Sequence, residues 1–239
     1  MIALLSSVPE EGALVAKRLT KKWVVAEKSL CSGKIHNKDV VYMVSGMGKA
    51  NAAHAATILL ERFSPDMLIV FGVGGAYPSS GLKVGDIAVA EKEIYGDEGV
   101  LLKDGFHDTE SIGIPLLKNG RKNYFNEFPL DKKLVRKALR SLAFSARRSA
   151  FSLQSGNFLT VSTCTGTRKR AIELRNRFGA ICENMEGAAA AHICATFKVP
   201  LLETRGISNI VEDRDKNKWD LKLAAKNCQE AVIEVIRNY

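Results

Sequence analysis

Short apolar runs alternate along the chain with longer amphipathic segments. Apolar runs of roughly four to eight residues are typical of buried strands, and apolar residues at three- and four-residue spacing are typical of helices that cover a core. The predicted strands are "IALLS" (2–6), "KDVVYMVSG" (38–46), "MLIVFGVGG" (67–75), "GDIAVAEKEIY" (85–95), "GAICENM" (179–185) and "VPLLETRGISN" (199–209). The predicted helices span 10–19, 49–63, 132–144, 168–178 and 187–197, and a last one runs from about Lys218 to Arg237.

This alternation of strands and helices is typical of a layered α/β fold. We therefore predict a single three-layer α/β/α domain over residues 1–239, with a mixed, mostly parallel central sheet. No repeat, low-complexity tract or linker divides the sequence. The stretch from about Lys103 to Pro129 is the least regular, and we expect it to be an insertion or a lid.

The charge of the chain bears on its partners. With 46% hydrophobic and 26% charged residues, the composition is that of an ordinary globular protein. The formal charge of +9 invites comparison with nucleic-acid-binding proteins. However, the basic residues are scattered among acidic ones without interleaved aromatic residues, as they are on solvated helix faces. We therefore expect no nucleic-acid partner, and a basic surface also suits a small acidic substrate.

Targeting segments and metal-binding spacings are missing from the sequence. No run approaches the roughly 20 apolar residues that a membrane helix needs, and the N-terminal segment has neither a basic stretch nor a long apolar run. The five cysteines are an odd number without CxxC spacing, and the four histidines form no HExxH motif. These features predict a cytoplasmic protein with no membrane partner, no disulfide framework and no metal site.

Two glycine-rich turns follow predicted strands, "SGMGKANAA" (45–53) and "FGVGGAYPSSG" (71–81). The dinucleotide-binding fingerprint needs a third glycine where these turns have Asn51 and Tyr77. The first turn also lacks the serine or threonine that follows the lysine of a P-loop. We therefore expect no nucleotide cofactor, and no other cofactor either. The turns bring backbone close to either a ligand or another strand, and the sequence leaves both interpretations open.

Glu186 stands in "CENMEGAAAAHICA" (182–195), where a predicted strand ends and a helix of small residues begins. A carboxylate in a first helical turn is favoured by the helix dipole alone. However, α/β sheets bind ligands beyond the carboxyl ends of their strands. Three other segments, 6–11, 72–76 and 208–212, place polar residues or glycines directly after an apolar run. Together the four segments predict a shared cleft.

The same segments resemble the nucleoside phosphorylase and nucleosidase superfamily over nearly the whole chain. Within it they are most similar to the futalosine hydrolases, relatives of the methylthioadenosine/S-adenosylhomocysteine nucleosidases. The stretches that carry the resemblance are "SSVPEEGAL" (6–14), "SGMGKANAA" (45–53), "GVGGAYPSSGLKVGDIAVAEKEIYGDEGV" (72–100), "FLTVSTCTGT" (158–167), "NMEGAAAAH" (184–192) and "RGISNIVEDRD" (205–215). The "GD" of "KVGD" and the Met-Glu pair occur across the superfamily, whereas "GGAYP", "STCTGT" and "GISN" followed by "VEDRD" are more specific to the futalosine branch.

The resemblance implies roles for the acidic residues. Glu186 is expected to bind the ribose 2′- and 3′-hydroxyls and to stabilise an oxocarbenium-like sugar, while Met185 packs on the sugar. Glu11 matches the general base that deprotonates an attacking water, with Glu10 as the alternative. Two acids in this loop would repel phosphate, so we expect water rather than phosphate to be the nucleophile. Asn184 stands where the related nucleosidases have another glutamate.

The resemblance also implies how the base is held. Asn209 replaces the aspartate with which methylthioadenosine nucleosidases protonate purine N7, and an asparagine cannot act as a general acid. Its amide can bond the O6 or N7 of hypoxanthine, so it favours inosine-type over adenosine-type leaving groups. Gly74 and Gly75 are expected to line the ribose and base pocket through backbone groups. Thr165 and Gly166 belong to a loop expected beside the base.

The predicted activity is hydrolysis of the N-glycosidic bond of futalosine, releasing hypoxanthine and dehypoxanthine futalosine, in the futalosine route of menaquinone biosynthesis. The alternatives are a nucleosidase for 6-amino-6-deoxyfutalosine or methylthioadenosine/S-adenosylhomocysteine, and a purine nucleoside phosphorylase. A non-catalytic nucleoside- or nucleic-acid-binding protein is disfavoured because both Glu11 and Glu186 are present. A homodimer or higher homo-oligomer is expected, in which the neighbour's segment 106–115 closes the pocket. A lysine or arginine is expected to bind the substrate's benzoate, but the sequence does not single one out.

Overall fold

The computed structural model of the protein describes residues 1–148 and 151–239. Its strands are β1 Ile2–Ser6, β2 Lys21–Val25, β3 Lys28–Ile35, β4 Lys38–Val44, β5 Met67–Ala76, β6 Ile87–Tyr95, β7 Gly99–Leu102, β8 Gly105–Asp108, β9 Leu117–Asn119, β10 Lys122–Tyr124, β11 Glu127–Pro129, β12 Leu153–Thr160, β13 Ala180–Asn184 and β14 Leu201–Ile210. Its helices are α1 Pro9–Ala16, α2 Lys49–Phe63, α3 Lys132–Arg148, α4 Arg168–Phe178, α5 Gly187–Phe197 and α6 Leu221–Arg237.

Every strand and helix predicted from the hydrophobic pattern is present. The last helix begins later than predicted, at Leu221, because the side chain of Asp220 caps it by accepting the N–H of Leu223. The strands β2, β3 and β12 were not predicted, and neither were the short strands β7 to β11. β2 is an edge strand with mostly exposed residues, and β12 ("LQSGNFLT") carries polar residues and a glycine. Neither sequence shows the continuous apolar run that indicates a buried strand.

Ten strands form the central sheet, in the order β11-β6-β12-β13-β5-β1-β4-β3-β2, with β14 pairing β5 and β6. The predicted mixed sheet is confirmed. Among the described residues its neighbours are evenly divided, with five parallel and five antiparallel pairings, so it is less parallel than expected. The difference comes partly from the unpredicted β2–β3 hairpin, because hairpin strands are necessarily antiparallel.

Part of this sheet closes into a ring. β14 lies parallel to β5 along most of its length and antiparallel to the start of β6. β6 in turn pairs β12, β12 pairs β13, and β13 pairs the end of β5. The ring β5-β14-β6-β12-β13 therefore brings the ends of strands that are distant in sequence to one place.

The helices pack in two groups, as the predicted layers require. α2 packs against α5 in one group, and α1 and α3 pack against α6 in the other. The first half of α5 consists of buried small residues, Gly187 and Ala188–Ala191, so the helix axis there can lie close to its neighbours. The apolar residues of β1 and β5 fill the core between the groups. The prediction of one domain over residues 1–239 remains a prediction.

The stretch 103–129 is more regular than expected. β7 and β8 form one two-stranded sheet, β9 and β10 form another, and β11 extends the central sheet beside β6. Large apolar side chains within this stretch or just before it are exposed, including Ile114 (64%) and Leu101 (80%). Across the described ranges, no helix combines the length and the apolar character needed to span a membrane.

Candidate active site

A cleft of about 290 Å³ opens where β1, β5, β13 and β14 end. It brings together the four segments that the sequence predicts to share a site. Seven of the eight predicted site residues line it: Glu11, Gly74, Gly75, Thr165, Met185, Glu186 and Asn209. Gly166 does not line the cleft. It is exposed, and a Cβ added to it would meet no atom within 4 Å, so the structure places it outside the wall.

Glu11 is held in the cleft by backbone donors. Its side chain is buried, and its Oε2 accepts hydrogen bonds from the N–H (2.9 Å) and Oγ (2.7 Å) of Ser7. Its Oε1 accepts the N–H of Val73 over 2.8 Å. A Cβ at Gly72 would stand 2.5 Å from this oxygen, so the second glycine-rich turn needs glycine to approach Glu11. Glu10 is exposed and does not line the cleft. Of the two acids that the sequence left as alternatives for the general base, only Glu11 therefore faces the cleft.

Glu186 turns away from the helix that follows it. Its Oε1 accepts the N–H of Gly48 over 3.0 Å, and its Oε2 lies 3.4 Å from Nη1 of Arg205. The side chain accepts no hydrogen bond from α5. The helix start is capped instead by Asn184, whose Oδ1 accepts the N–H groups of Glu186 and Gly187 over 2.9 and 2.7 Å. Glu186 therefore stands at the N-cap position of α5, but its side chain makes no capping hydrogen bond and is instead held by Gly48 and Arg205.

The side chain of Asn184 is engaged mainly by the protein itself. In addition to capping α5, its Oδ1 accepts the hydroxyl of Thr160 over 3.0 Å. Its Nδ2 donates to Oε1 of Glu93 over 2.7 Å. The asparagine that replaces a glutamate of the related nucleosidases therefore serves the helix start and a buried carboxyl group.

Arg205 lies fully buried behind Glu186 and was not predicted as a site residue. Its Nε donates to Oε1 of Glu203 over 2.9 Å, and its Nη1 donates to the carbonyl oxygen of Val73 over 3.2 Å. Among the described residues, its Nη2 has no hydrogen-bond partner although it is buried. The surrounding carboxylates, Glu203 first, raise the pKa of Arg205 against the effect of burial, so it stays charged. A Glu and an Arg inside the apolar run "LLETRGIS" were the sequence signal for this pair.

A second buried carboxyl group, Glu93, adjoins Glu203. Burial raises the pKa of Glu93 well above its usual range, and the charge of Glu203 adds to the shift. Burial also raises the pKa of Glu203, but Arg205 opposes that shift. Glu93 is therefore the member of the pair that holds a proton, which it can donate to Glu203. A Cβ on Gly187 would overlap oxygens of both carboxyl groups, so α5 must begin with glycine here.

Glu183 organises the loop on the other side of the cleft, and the sequence did not reveal it. Its Oε1 accepts the N–H of Thr165 over 2.9 Å, and its Oε2 accepts the hydroxyls of Thr165 (2.6 Å) and Tyr77 (2.7 Å). Burial, with the Glu183 charge beside it, raises the pKa of Tyr77 far above its usual range, so this phenol remains a donor. The sulfur of Cys164 lies 3.2 Å from that of Met185, which closes the loop onto the cleft.

Asn209 reaches the cleft from an irregular part of β14. The register of β14 against β5 shifts between Ile207 and Asn209, and such bulges re-aim side chains. The Oδ1 of Asn209 accepts the hydroxyl of Ser208 over 2.8 Å, and its Nδ2 donates to the carbonyl oxygen of Ile210 over 3.1 Å. One N–H of the amide remains available. Gly75 makes room for this side chain, because a Cβ there would stand 3.2 Å from the amide nitrogen.

Residues 1–237 match the Phosphorylase superfamily. The chain belongs to this family. A futalosine hydrolase from Thermus thermophilus is 36% identical over 192 residues, which cover 80% of this chain and 79% of that protein. A 5′-methylthioadenosine/S-adenosylhomocysteine nucleosidase from Staphylococcus haemolyticus is 27% identical over 242 residues and 99% of both chains. The predicted class of enzyme, a hydrolase acting on N-glycosyl bonds, is confirmed by these relatives.

The superfamily fold is shown independently by a solved structure. The nucleosidase from Neisseria meningitidis, in complex with methylthio-immucillin-A, superposes with a TM-score of 0.85 at 23% identity. It covers all of this chain, and this chain covers 99% of it. In the present protein, the described residues contain no group of three or more His, Cys, Asp and Glu side chains that could hold a metal ion.

Proposed function

We propose that this nucleosidase hydrolyses the N-glycosidic bond of futalosine, releasing hypoxanthine and dehypoxanthine futalosine. The observation that carries the proposal is the placement of Asn209, an amide rather than a carboxylate, in the same cleft as Glu11 and Glu186. The relative from Thermus thermophilus that bears the name futalosine hydrolase supports it.

Glu186 is proposed to hold the ribose. Its carboxylate accepts hydrogen bonds from the 2′- and 3′-hydroxyls, and Met185 packs on the sugar. As the base leaves, the sugar gains positive charge, and a fixed carboxylate stabilises that charge more in the transition state than in the ground state. Arg205 offsets the cost of burying Glu186, and Gly48 fixes the position of its Oε1. The carboxylate therefore needs little reorganisation during the reaction.

Glu11 is proposed to deprotonate the attacking water. The donors from Ser7 and Val73 fix both of its oxygens while its side chain still faces the cleft. Water is favoured over phosphate because three carboxylates, Glu11, Glu183 and Glu186, line the cleft and would repel an anionic nucleophile.

The base is proposed to bind between Asn209 and the backbone of Gly74 and Gly75. The free N–H of Asn209 bonds the O6 or N7 edge of hypoxanthine and disperses the negative charge of the departing base. Adenine presents an amino group where hypoxanthine presents O6. The free N–H of Asn209 therefore has one acceptor fewer on adenine than on hypoxanthine. The loop that carries Thr165 and Gly166 closes this side, with Thr165 fixed by Glu183.

The assembly and cellular setting are proposals as well. We expect a homodimer or higher homo-oligomer in which the neighbour's segment 106–115 closes the pocket, and the exposed side chains of Leu101, Ile112 and Ile114 beside or within this segment support it. We place the reaction in the cytoplasm, in the futalosine route to menaquinone, where no cofactor, metal or nucleic acid takes part.

The test is substrate profiling. The purified protein is incubated with futalosine, inosine, 6-amino-6-deoxyfutalosine and methylthioadenosine, with and without phosphate, and the released bases and sugars are separated. We expect hypoxanthine and free sugar from futalosine, at a rate independent of phosphate. Faster release of adenine from methylthioadenosine would instead favour the function named for the relatives that match over the full length. Sugar 1-phosphate would identify a phosphorylase.

A further inference from the structure

A cationic side chain stands at the mouth of the cleft. Arg214 lines the same cleft as Glu11 and Glu186 but is exposed to solvent. The centre of its guanidinium group lies 4.7 Å from the centroid of the Trp219 ring. Trp219 is half-buried and lines the cleft as well. Stacking on an indole holds a guanidinium in one plane while its N–H groups remain free at the edge.

The acidic residues around Arg214 are engaged elsewhere. Glu212 lies 3.1 Å from Nζ of Lys218, and Asp213 accepts the N–H of Arg168 over 3.1 Å. Asp215 accepts the N–H of Asn217 over 3.0 Å and so caps the short turn that follows. Among the described residues, none provides a carboxylate within ion-pairing distance of Arg214. A structural salt bridge therefore does not account for the presence of an arginine at this position.

The acids inside the cleft do not need Arg214 either. Glu11 is satisfied by backbone donors, Glu183 by Thr165 and Tyr77, and Glu186 by Gly48 and Arg205. Each of these carboxylates faces the cleft with its own internal donors. A further cation at the mouth thus has no partner within the protein that would account for it.

The mouth also combines this cation with apolar surface. Met47, Val8 and Leu221 line the cleft, and their exposed fractions are 63%, 38% and 51%. Exposed apolar side chains beside a half-buried indole suit a flat hydrocarbon ring. A group that carries both a ring and a negative charge would satisfy both features.

We propose that Arg214, stacked on Trp219, binds the carboxylate of an anionic aromatic group on the 5′ side of the nucleoside, and so selects acidic nucleosides over neutral ones. This inference rests on the proposed function, because futalosine carries a benzoate there. The guanidinium donates two parallel N–H bonds to the carboxylate, an arrangement that lysine cannot reproduce. Arg214 is a specificity-determining residue. It does not act on the bond that is cleaved, which is the proposed role of Glu11 and Glu186.

The purine O6 is an alternative hydrogen-bond acceptor for Arg214. Burial raises the pKa of the Cys164 thiol and the charge of Arg214 opposes that shift, so Arg214 also acts on the loop proposed to lie beside the base. The exposure of Arg214 favours the 5′ substituent, since Asn209 reaches the base from a less exposed position. The two targets make different predictions, because inosine has O6 but no carboxylate.

The experiment measures KM and kcat of the full-length protein and its variants with futalosine, futalosine carboxamide and inosine. For Arg214→Met we expect KM for futalosine to rise ~10- to 100-fold while kcat changes less than ~3-fold, as loss of uniform binding requires. KM for the carboxamide and for inosine should change less than ~3-fold. Arg214→Lys should recover part of the loss, and Lys216→Met removes the same charge from the same loop as a control.

The outcomes separate the inference from the function on which it rests. If wild type cleaves futalosine but Arg214→Met leaves its KM unchanged, the inference is wrong and the proposed function stands. Equal losses with all three nucleosides, or a loss shared by inosine, assign Arg214 to the base or the sugar and also overturn the inference. If wild type leaves futalosine intact, the proposed function fails and the inference fails with it. Thermal melting of each variant distinguishes lost binding from lost folding.

Discussion

The backbone N–H of Gly48 donates to Oε1 of Glu186 over 3.0 Å, although 138 positions separate the two residues. The bond ties the first glycine-rich turn to the carboxylate proposed to hold the ribose. It accounts for a turn that matches neither a dinucleotide fingerprint nor a P-loop. The turn serves to orient a side chain, and the carboxylate it orients is held on its other side by Arg205.

Replacing Glu186 with Gln should lower kcat by at least ~100-fold, because the variant loses the negative charge that stabilises the sugar cation. The glutamine keeps a carbonyl oxygen for Gly48, and Arg205 keeps Glu203 as its partner. Thermal melting should therefore show a folded protein. Steady-state kinetics with futalosine provide the measurement, and near-full activity in the variant would rule out the assigned role.

Glu11→Gln and Glu10→Gln form a matched pair at adjacent positions. Glu11 is buried in the cleft and Glu10 is exposed outside it, so only the first should lose most of its activity. General-base catalysis typically contributes about 10²- to 10⁴-fold, which sets the expected loss. Hydrolysis rates of the two variants are compared under the same conditions. The reverse order of activities would move the base to Glu10.

Asn209→Asp should lose futalosine hydrolysis and narrow or invert the preference over 6-amino-6-deoxyfutalosine. An ionised aspartate repels O6 of hypoxanthine, whereas it can accept from the amino group of adenine. A site built around a hydrogen bond can discriminate by up to about 10⁴-fold, so wild type should strongly prefer futalosine. The ratio of kcat/KM for the two nucleosides is the readout. An unchanged ratio would mean that Asn209 only shapes the strand end.

Gly187→Ala should destabilise the protein, whereas Gly166→Ala should not. The methyl group at 187 overlaps the oxygens of Glu93 and Glu203, while the one at 166 meets nothing within 4 Å. Overpacking of a buried site typically costs about 1–3 kcal/mol. Urea denaturation of both variants measures the free energy of unfolding. Equal stabilities would show that α5 can shift away from the carboxyl pair.

The buried Glu93 should make stability depend on pH. Its pKa is raised in the native state, so the folded protein holds a proton that the unfolded chain releases above the ordinary carboxyl value of 4.5. Its contribution to the free energy of unfolding is therefore complete below that value and is lost as pH rises towards the native pKa. Glu93→Gln cannot titrate, so its free energy of unfolding should fall less steeply with pH.

Urea denaturation from about pH 5 to about pH 9 measures how steeply the free energy of unfolding changes with pH. Glu91→Gln is a suitable control, because Glu91 lies on the same strand but is exposed. Some dependence should survive in the Glu93 variant, since burial also raises the pKa of Glu203. Identical slopes for wild type and Glu93→Gln would show that Glu93 is ionised in the folded protein.

The sequence predicted what a hydrophobic pattern or a strand end can encode. β1, β5 and β14 are apolar runs followed by polar residues, so the convergence of Glu11, Gly74 and Asn209 could be anticipated from the rule for strand ends. The hydrophobic pattern marked Glu203 and Arg205 as charges inside an apolar run, but it could not indicate the partners of Arg205 that are distant in sequence, Val73 and Glu186. Glu183 was missed for a similar reason, since its partners Thr165 and Tyr77 are distant in sequence.

The ring of strands has a consequence for biosynthesis. β14 closes the ring between β5 and β6, yet it follows the other four strands of the ring in sequence, so the ribosome makes it after them. Until residues 201–210 emerge, both neighbours carry an unpaired edge, which is a surface prone to aggregation. The nascent chain also lacks Arg205, which holds Glu186, and Asn209, which lines the cleft. Catalysis therefore requires that translation has passed residue 210, and a chain terminated before β14 has neither a closed ring nor an assembled site.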